Sequence, residues 1–317
     1  MFARSNREKS SAVAARTATS ALPRWTVAAS PACCPTHLAD GRPPDPVARP
    51  LPETAVITGA GSGIGRCFAT LLDQPGNHLF LADIDQDGLE ATRAMLTSAS
   101  VSLHPLDVRD RAQIEDLATQ VRSSSGRVLL VNSAGIASGG EFRDATPAQI
   151  ERIVAINVLG TMQVTHALLP LLLKRGGHVV NFSSMVGWLG LPGNVTYATT
   201  KFAIRGFSES LRAELRGSGV GVTVAHPGAV RTPIIARGDF TQADDQERLA
   251  ALMQRFAMRP EKLVRRILRA VRRDRFRVTV GIEARLLALL SRLAPNLTIA
   301  AIGGIFAQLR GNARRAD

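Results

Sequence analysis

Cysteine is scarce in this chain of 317 residues, and its three copies are poorly placed for cross-linking. Cys33 and Cys34 are adjacent and Cys67 stands alone, so we expect neither a disulfide framework nor a spaced metal site. Cys67 follows a glycine-rich turn, where packing as a small apolar residue is favoured over redox activity. A reducing, cytoplasmic compartment and a protein without a bound metal are therefore expected.

Aromatic residues make up only 4% of the chain, and the net charge of +13 is concentrated at its two ends. Residues 1–50 carry seven Arg or Lys against three acids, and residues 259–317 carry fourteen against four. The stretch between them is near neutral, with 18 basic and 19 acidic residues. Because a nucleic-acid-binding domain needs a basic, aromatic-bearing face on its folded body, no nucleic-acid partner is expected.

The first fifty residues show no hydrophobic period and combine Pro with scattered Ser, Ala and Arg, which predicts a disordered basic extension. Their composition resembles that of an organelle transit peptide, without the apolar run of a secretory signal. A dispensable extension fits the same composition, so both interpretations stay open.

From residue 54 onward, short β-branched runs alternate with helical segments. Helices are predicted at Arg111 to Arg122, Pro147 to Lys174 and Tyr197 to Arg216. The predicted strands are Ala55 to Thr58, His78 to Ala82, Val101 to Leu106, Val128 to Asn132, His178 to Phe182, Gly221 to Ala225 and Arg277 to Val280. Most of these strands are continuously apolar, as in a parallel sheet buried on both faces. The pattern predicts a doubly wound α/β domain over residues 51–283, with ligand sites at the carboxyl ends of about seven strands.

The first predicted strand runs into a glycine turn, Thr58-Gly59-Ala60-Gly61-Ser62-Gly63-Ile64-Gly65, and a helix follows at once. Such a turn lets backbone N–H groups approach a pyrophosphate at the positive end of the helix. Asp83 ends the second strand, where a carboxylate can accept hydrogen bonds from the adenosine ribose and repel a 2′-phosphate. These features favour NAD over NADP, although Asp83 could also be a solvated turn residue.

A second group of polar residues follows the fifth strand. Tyr197 lies thirteen residues after Ser184, and Lys201 lies four residues after Tyr197, which is the only tyrosine of the chain. A spacing of four puts the phenol and the ammonium on one face of a helix. An unperturbed tyrosine has a pKa of about 10, so a neighbouring lysine cation is a means of favouring phenolate. We expect Tyr197 to transfer a proton.

Several motifs in a fixed order resemble those of the short-chain dehydrogenase/reductase family, over residues 53–283. They are Thr58-Gly-x-x-x-Gly-x-Gly65, Asp107-Val108, Asn132-Ser133-Ala134-Gly135, Asn157, Ser184, Tyr197-x-x-x-Lys201 and Pro227-Gly228. The departures are small, with Ser133 where the family often has a second asparagine and Thr200 where a smaller residue is common. The resemblance implies a Rossmann-type fold and hydride transfer between an alcohol or ketone and a nicotinamide cofactor.

The resemblance also implies roles for single residues. Ser184 would hydrogen-bond the substrate oxygen, Tyr197 would be the general acid or base, and Lys201 would lower the Tyr197 pKa and hold the nicotinamide ribose. Asn157 would fix a water molecule behind the lysine, although Asn132 and Asn157 could instead mainly brace the sheet. The implied cofactor contacts are Thr58, Gly59, Ser62, Gly63, Ile64, Gly65, Asp83, Asp107, Val108, Asn132, Ala134, Gly135, Tyr197, Lys201, Pro227, Gly228, Val230 and Thr232.

The family places a substrate lid at residues 233–260, and a helical stripe in it (Leu249, Leu252, Met253 and Phe256) could line an apolar pocket or belong to the core. Residues 284–317 form an apolar and basic C-terminal extension, too short and interrupted for a membrane span. Packing over the substrate pocket or a subunit interface is favoured for it. Peripheral membrane contact, aided by Arg285, Arg292 and Arg310, stays open.

These features together predict an NAD-dependent oxidoreductase for an apolar secondary alcohol or ketone, such as a steroid, a retinoid or a fatty-acyl derivative. The family also implies a homodimer or homotetramer. Two alternatives are a catalytically idle NAD-binding regulator and a peripheral membrane-binding protein. An idle regulator would be expected to lack Ser184, Tyr197 or Lys201, and all three are present.

Overall fold

The structure is a computed structural model that describes residues 49–241, 246, 251 and 257–313, without the side chains of residues 309–313. The predicted disordered extension up to residue 48, with Cys33 and Cys34, lies outside the described residues. So do Leu249, Leu252, Met253 and Phe256 of the predicted lid helix, the side chain of Arg310, and residues 314–317.

A seven-stranded parallel sheet forms the centre of the domain, in the order β3-β2-β1-β4-β6-β7-β9. A second, two-stranded sheet pairs β5 with β8. The strands are β1 (Thr54–Thr58), β2 (His78–Asp83), β3 (Ser100–Pro105), β4 (Val128–Asn132), β5 (Ser138–Gly139), β6 (Gly177–Phe182), β7 (Val220–Pro227), β8 (Asp239–Phe240) and β9 (Arg277–Val280). The predicted doubly wound α/β fold is confirmed.

Helices cover both faces of the large sheet. The described α-helices are α1 (Gly63–Leu71), α2 (Gln86–Arg93), α3 (Arg111–Arg122), α4 (Pro147–Val154), α5 (Thr161–Arg175), α6 (Val195–Glu214), α7 (Pro260–Arg272), α8 (Ile282–Leu293) and α9 (Pro295–Ala313). Because side chains alternate along a strand, each central strand contributes to two cores. Ile57 packs in the core beneath α1 and α7, and the adjacent Val56 packs in the core beneath α3 and α5. Packing on both faces keeps the parallel strands in register, so that their carboxyl ends lie along the same edge of the sheet.

The helix predicted over Pro147 to Lys174 is interrupted by a π-helical turn at Ala155–Gly160. The interruption lies between α4 and α5 and contains the buried Asn157. The backbone carbonyl of Asn157 accepts a hydrogen bond from Thr161 Oγ1 at 3.0 Å. Single π-turns inside helices frequently occur at functional sites. The hydrophobic period of the sequence is continuous through this segment, so it does not signal the interruption.

Among the described residues, one helical stretch, Pro147–Arg175, is long and apolar enough to cross a membrane by length and composition alone. About half of its apolar window is buried inside the protein. Val164, Leu168 and Leu172 of α5 lie in the core beneath β4 and β6. This stretch is a core helix of the α/β domain.

Candidate active site and cofactor groove

The glycine turn after β1 packs so closely on the loop after β4 that side chains have no room. Gly59 has φ +68°, and a Cβ built there would lie 2.8 Å from the backbone nitrogen of Ala134. A Cβ on Gly65 would collide with the carbonyl oxygen of Gly59. The same Ala134 N–H donates to Thr58 Oγ1 at 3.1 Å. Both glycines are therefore required for the turn to reach its position.

The turn leaves the amino terminus of α1 open toward a groove. Ser62 precedes the helix in an extended conformation, and its side chain makes no capping hydrogen bond to a described residue. The first N–H groups of a helix need partners, and together with the helix dipole they favour an anion. Ser62, Gly63 and Ile64 all line the groove. This arrangement fits a pyrophosphate group.

Asp83 lies at the carboxyl end of β2, on the wall of the same groove. Its carboxylate accepts hydrogen bonds from Gly61 N at 2.8 Å and from Asp85 N at 2.9 Å. The basic groups nearby have other partners. Arg66 donates to Thr92 Oγ1 at 2.9 Å and to the carbonyl of Gly61, and Arg237 pairs with Asp85 at 3.0 Å. Asp83 therefore faces this end of the groove without a basic partner among the described residues, whereas Asp85 is paired with Arg237.

The structure brings most of the predicted cofactor residues to this one groove. Gly59, Ser62, Gly63, Ile64, Asp83, Asp107, Val108, Ala134, Gly135 and Thr232 all line it. Thr58 and Gly65 support the turn from behind. Arg109, Arg152 and Arg237 also line the groove and were not predicted. Arg109 binds the Asp107 carboxylate through its Nε at 2.9 Å, and Arg152 pairs with Asp239 of β8 at 2.6 Å. Sequence spacing does not signal Arg152 and Arg237 because their partners, Asp239 and Asp85, lie on distant segments, whereas Arg109 lies two residues after its partner Asp107.

Asn132 is placed differently from the groove residues. Its side chain is buried and donates to Thr165 Oγ1 at 2.9 Å and to Asn181 Oδ1 at 2.8 Å. Asn181 in turn donates to Ser208 at 3.0 Å. This polar chain ties β4 and β6 to α5 and α6 across the core. The bracing alternative from the sequence fits the position of the Asn132 side chain.

Ser184, Tyr197 and Lys201 meet beside the groove. Lys201 is buried on α6, and its Nζ donates to the carbonyl of Phe182 at 3.0 Å and lies 5.4 Å from the centroid of the Tyr197 ring. Ser184 follows β6 and forms a hydrogen bond with Tyr197. A Cβ on Gly135, which lines the groove, would lie 4.0 Å from Lys201 Nζ. None of the three side chains lines the groove itself, and Lys201 lies behind Gly135, which does.

Burial dominates the proton affinities of this group. Loss of water raises the pKa of Tyr197 to about 12, opposed by its hydrogen bond with Ser184. The same loss of water lowers the pKa of Lys201 to about 8. The Tyr197 direction is opposite to that expected from the lysine alone, because desolvation penalises both charged forms. At neutral pH the phenol is protonated and can donate a proton.

Asn157 connects the π-turn with the loop after β4 and with α6. Its side-chain oxygen accepts from Ile136 N and its amide donates to Ile136 O, both at 2.9 Å. The amide also approaches Thr200 Oγ1 at 3.2 Å. Asn157 Oδ1 lies 3.1 Å from the position of a Cβ on Gly135. The side chain thus fixes the loop that separates Lys201 from the groove.

Pro227 ends β7, and the loop that follows includes Gly228, Val230 and Thr232, of which Thr232 lines the groove. Val230 pairs with Met258 as an isolated bridge, which closes the base of the segment predicted to form a lid. Glu283 of α8 occupies the space where a Gly228 side chain would lie and accepts from Ala229 N at 3.3 Å. No sequence pattern indicates Glu283, since it lies more than fifty residues from this loop.

His226 lies directly beneath Ser184 and was also not predicted. Its Nδ1 lies 3.2 Å from the carbonyl oxygen of Ser184, and its ring packs on Trp188 with centroids 4.4 Å apart. Burial lowers the His226 pKa to about 4, so the ring is neutral near pH 7. A neutral imidazole with Nδ1 protonated can donate to that carbonyl and hold the serine backbone in place.

Comparison with known proteins identifies the family. The short chain dehydrogenase family model matches residues 53–242. SadH of Mycobacterium tuberculosis, described as an oxidoreductase, is 38% identical over 249 residues, which are 76% of this chain and 90% of SadH. The chain belongs to the short-chain dehydrogenase/reductase family of oxidoreductases.

Two solved structures resemble the fold. A short-chain dehydrogenase/reductase from Burkholderia phymatum in complex with NAD superposes with a TM-score of 0.69 and 28% identity, covering 77% of this chain and 92% of that one. A short-chain dehydrogenase from Sphingobium yanoikuyae in complex with NADPH gives a TM-score of 0.63 and 27% identity, covering 83% and 95%. These complexes support a nicotinamide cofactor for this fold.

Proposed function

We propose that this protein is an NAD-dependent oxidoreductase that interconverts an apolar secondary alcohol and a ketone. The observation that carries the proposal is the meeting of Ser184, Tyr197 and Lys201 next to a groove with an open helix terminus. When NAD is bound, its nicotinamide ring exchanges a hydride with the substrate carbon. The chain must then supply a proton and bind the substrate oxygen.

The protonation states favour a simple division of work for ketone reduction. Tyr197, whose pKa is raised, donates its phenolic proton to the carbonyl oxygen. Ser184 Oγ donates a hydrogen bond to the same oxygen and stabilises its developing charge. The Lys201 cation stabilises the phenolate that remains, because opposite charges attract strongly in a buried site. For alcohol oxidation the proton moves in the opposite direction.

Asp83 is the basis for the proposed preference for NAD. NADP carries a phosphate on the adenosine ribose, which would meet this carboxylate in a partly buried groove. The repulsion between two such groups should favour NAD by at least about tenfold in kcat/KM. Arg66 and Arg237 offer little compensation, because both already bind groups of the chain.

The proposal is tested by following reduced-cofactor absorbance with a panel of apolar ketones and alcohols, using NAD and NADP side by side. The variant Asp83→Ala with Ile84→Arg should reverse the preference, since it removes the carboxylate and adds a cation at a position 68% exposed. Asp87→Ala, an exposed acid on α2, is the control and should leave the preference unchanged. Wild-type protein that uses NADP as well as NAD would refute the role of Asp83.

A catalytically idle NAD-binding protein is the alternative outcome of the same panel. It would bind NAD, as measured by calorimetry, yet turn over no alcohol or ketone of any class. The intact Ser184, Tyr197 and Lys201 group argues for the enzyme.

A further inference from the structure

The two C-terminal helices expose an unusual concentration of large apolar side chains. Leu286, Leu289 and Leu293 of α8 are each at least 54% exposed, as are Leu297, Ile299 and Ile305 of α9. We call these six side chains the C-terminal apolar surface. The other exposed large apolar residues are mostly spread between Ile84 and Phe202. A concentration of this kind marks an interaction site.

Helix α8 is amphipathic, and its orientation is fixed by its buried side. Leu286, Leu289 and Leu293 follow one another at helical spacing and share one face. On the opposite side, Ala284 is fully buried and α8 packs on the turn Met185–Gly187 that follows Ser184. The apolar face of α8 therefore points away from the domain, while its buried face lies next to the candidate active site.

Helix α9 is apolar on nearly all sides. Residues 295–308 contain no charged side chain, and Thr298 is the one side chain buried among these described residues. A helix that is apolar all round needs an apolar medium around it, such as a protein core or a membrane. A flat protein partner would cover one side of α9 and leave the others in water.

Basic charge borders the surface. Arg285 and Arg292 are exposed on α8, and neither forms an ion pair with a described residue, although Arg292 lies over the Trp188 ring at 5.0 Å. From residue 282 to the end of the given sequence there are five arginines against two acids. A second copy would bring like charges together, whereas anionic headgroups would neutralise them.

We propose that the C-terminal apolar surface binds the interface of a membrane that contains anionic lipid, with α8 and α9 lying in the membrane plane. Pro295, Asn296 and the pair Gly303 and Gly304 interrupt the apolar run, which favours this orientation over a span. Apolar side chains enter the acyl boundary while Arg285 contacts headgroups. This proposal does not depend on the reaction that the enzyme catalyses.

The test is sedimentation of the full chain with vesicles of phosphatidylcholine alone or with about one third phosphatidylserine. Wild-type protein should bind the mixed vesicles more tightly, and added salt should weaken that binding. The variant Leu293→Glu with Leu297→Glu should bind at least about tenfold more weakly, since two apolar groups become anionic. Met95→Glu with Leu173→Glu adds the same charge at exposed sites elsewhere and should bind like wild type.

Arg285→Gln should weaken binding to the mixed vesicles by about fivefold, because each basic residue near an anionic surface contributes about that much. The control Arg216→Gln, at an exposed turn, should not. Retained binding in the Leu293→Glu, Leu297→Glu variant would overturn the proposal, since the basic N-terminal stretch would then suffice. Equal binding to both vesicle types would overturn it as well. So would a wild-type oligomer that ignores vesicles and dissociates in that variant, because the surface would then belong to a second copy.

Discussion

Replacing Lys201 by methionine should abolish activity and, at neutral pH, make the protein more stable. Burial lowers the pKa of this lysine from 10.5 to about 8, so holding its charge inside the protein costs about 3 kcal/mol at pH 7. The substitution also removes the hydrogen bond from Nζ to the carbonyl of Phe182. Leaving that acceptor unpaired costs about 1–2 kcal/mol. The net gain expected at pH 7 is therefore about 1–2 kcal/mol.

The pH dependence separates this explanation from ordinary packing effects. Between pH 8 and 10.5 the unfolded lysine holds a proton that the folded one has lost, so the free energy of unfolding of the wild type rises with pH. From pH 7 to 9.5 the rise should be about 2 kcal/mol relative to Lys201→Met. The comparison is limited to pH values below 10, because above that pH the raised pKa of Tyr197 makes the free energy of unfolding fall as the pH rises.

Urea unfolding followed by circular dichroism at both pH values measures this difference. Lys174→Met is the matched control, because Lys174 is exposed near the end of α5 and its replacement should give the same difference from wild type at both values. Parallel pH dependences for wild type and Lys201→Met would refute the reasoning, since no charge would then be buried at this position.

Three further substitutions test the site. Tyr197→Phe should abolish turnover while NAD affinity, measured by calorimetry, stays within about twofold, because the hydroxyl transfers a proton and contributes little to binding; residual turnover near wild type would exclude Tyr197 from the reaction. Gly59→Ala should destabilise the protein by about 2 kcal/mol or more through its positive φ and backbone clash, whereas Gly190→Ala, which has open space, should be nearly neutral in thermal unfolding. Glu283→Ala should raise the KM for NAD several-fold with kcat little changed, because the Ala229 N–H loses its acceptor and the loop after β7 loses a support. An unchanged KM would show that Glu283 does not support this loop for cofactor binding.

The local sequence pattern was sufficient to predict the strands of the parallel sheet and the family of this protein. Continuous apolar runs predicted buried parallel strands, and β4 (Val128–Asn132) and β9 (Arg277–Val280) have the predicted ends. Each of the other predicted strands differs by one or two residues at one or both ends. Hydrogen bonds with neighbouring strands extend most of them, whereas β3 ends at Pro105, one residue before its predicted end. The ordered motifs led to the correct family and to the short list of polar residues that could react. Such information is local, since spacing along a helix or strand fixes which side chains share a face.

Contacts between distant segments were decided by the tertiary structure. Glu283 reaches Ala229 and His226 reaches Ser184 only because α8 packs on the turn Met185–Gly187 and β7 pairs with β6. The direction of the Tyr197 pKa shift likewise depends on how much water the fold removes, which no spacing along the chain encodes. The C-terminal extension was expected to pack over the substrate pocket or a subunit interface; in the structure α8 contacts the turn Met185–Gly187, and α9 is largely exposed. The sequence determined which groups this protein contains and on which elements they lie, because propensity and periodicity act locally. Packing determined which groups meet and how strongly each is desolvated, because both depend on segments far apart in the chain.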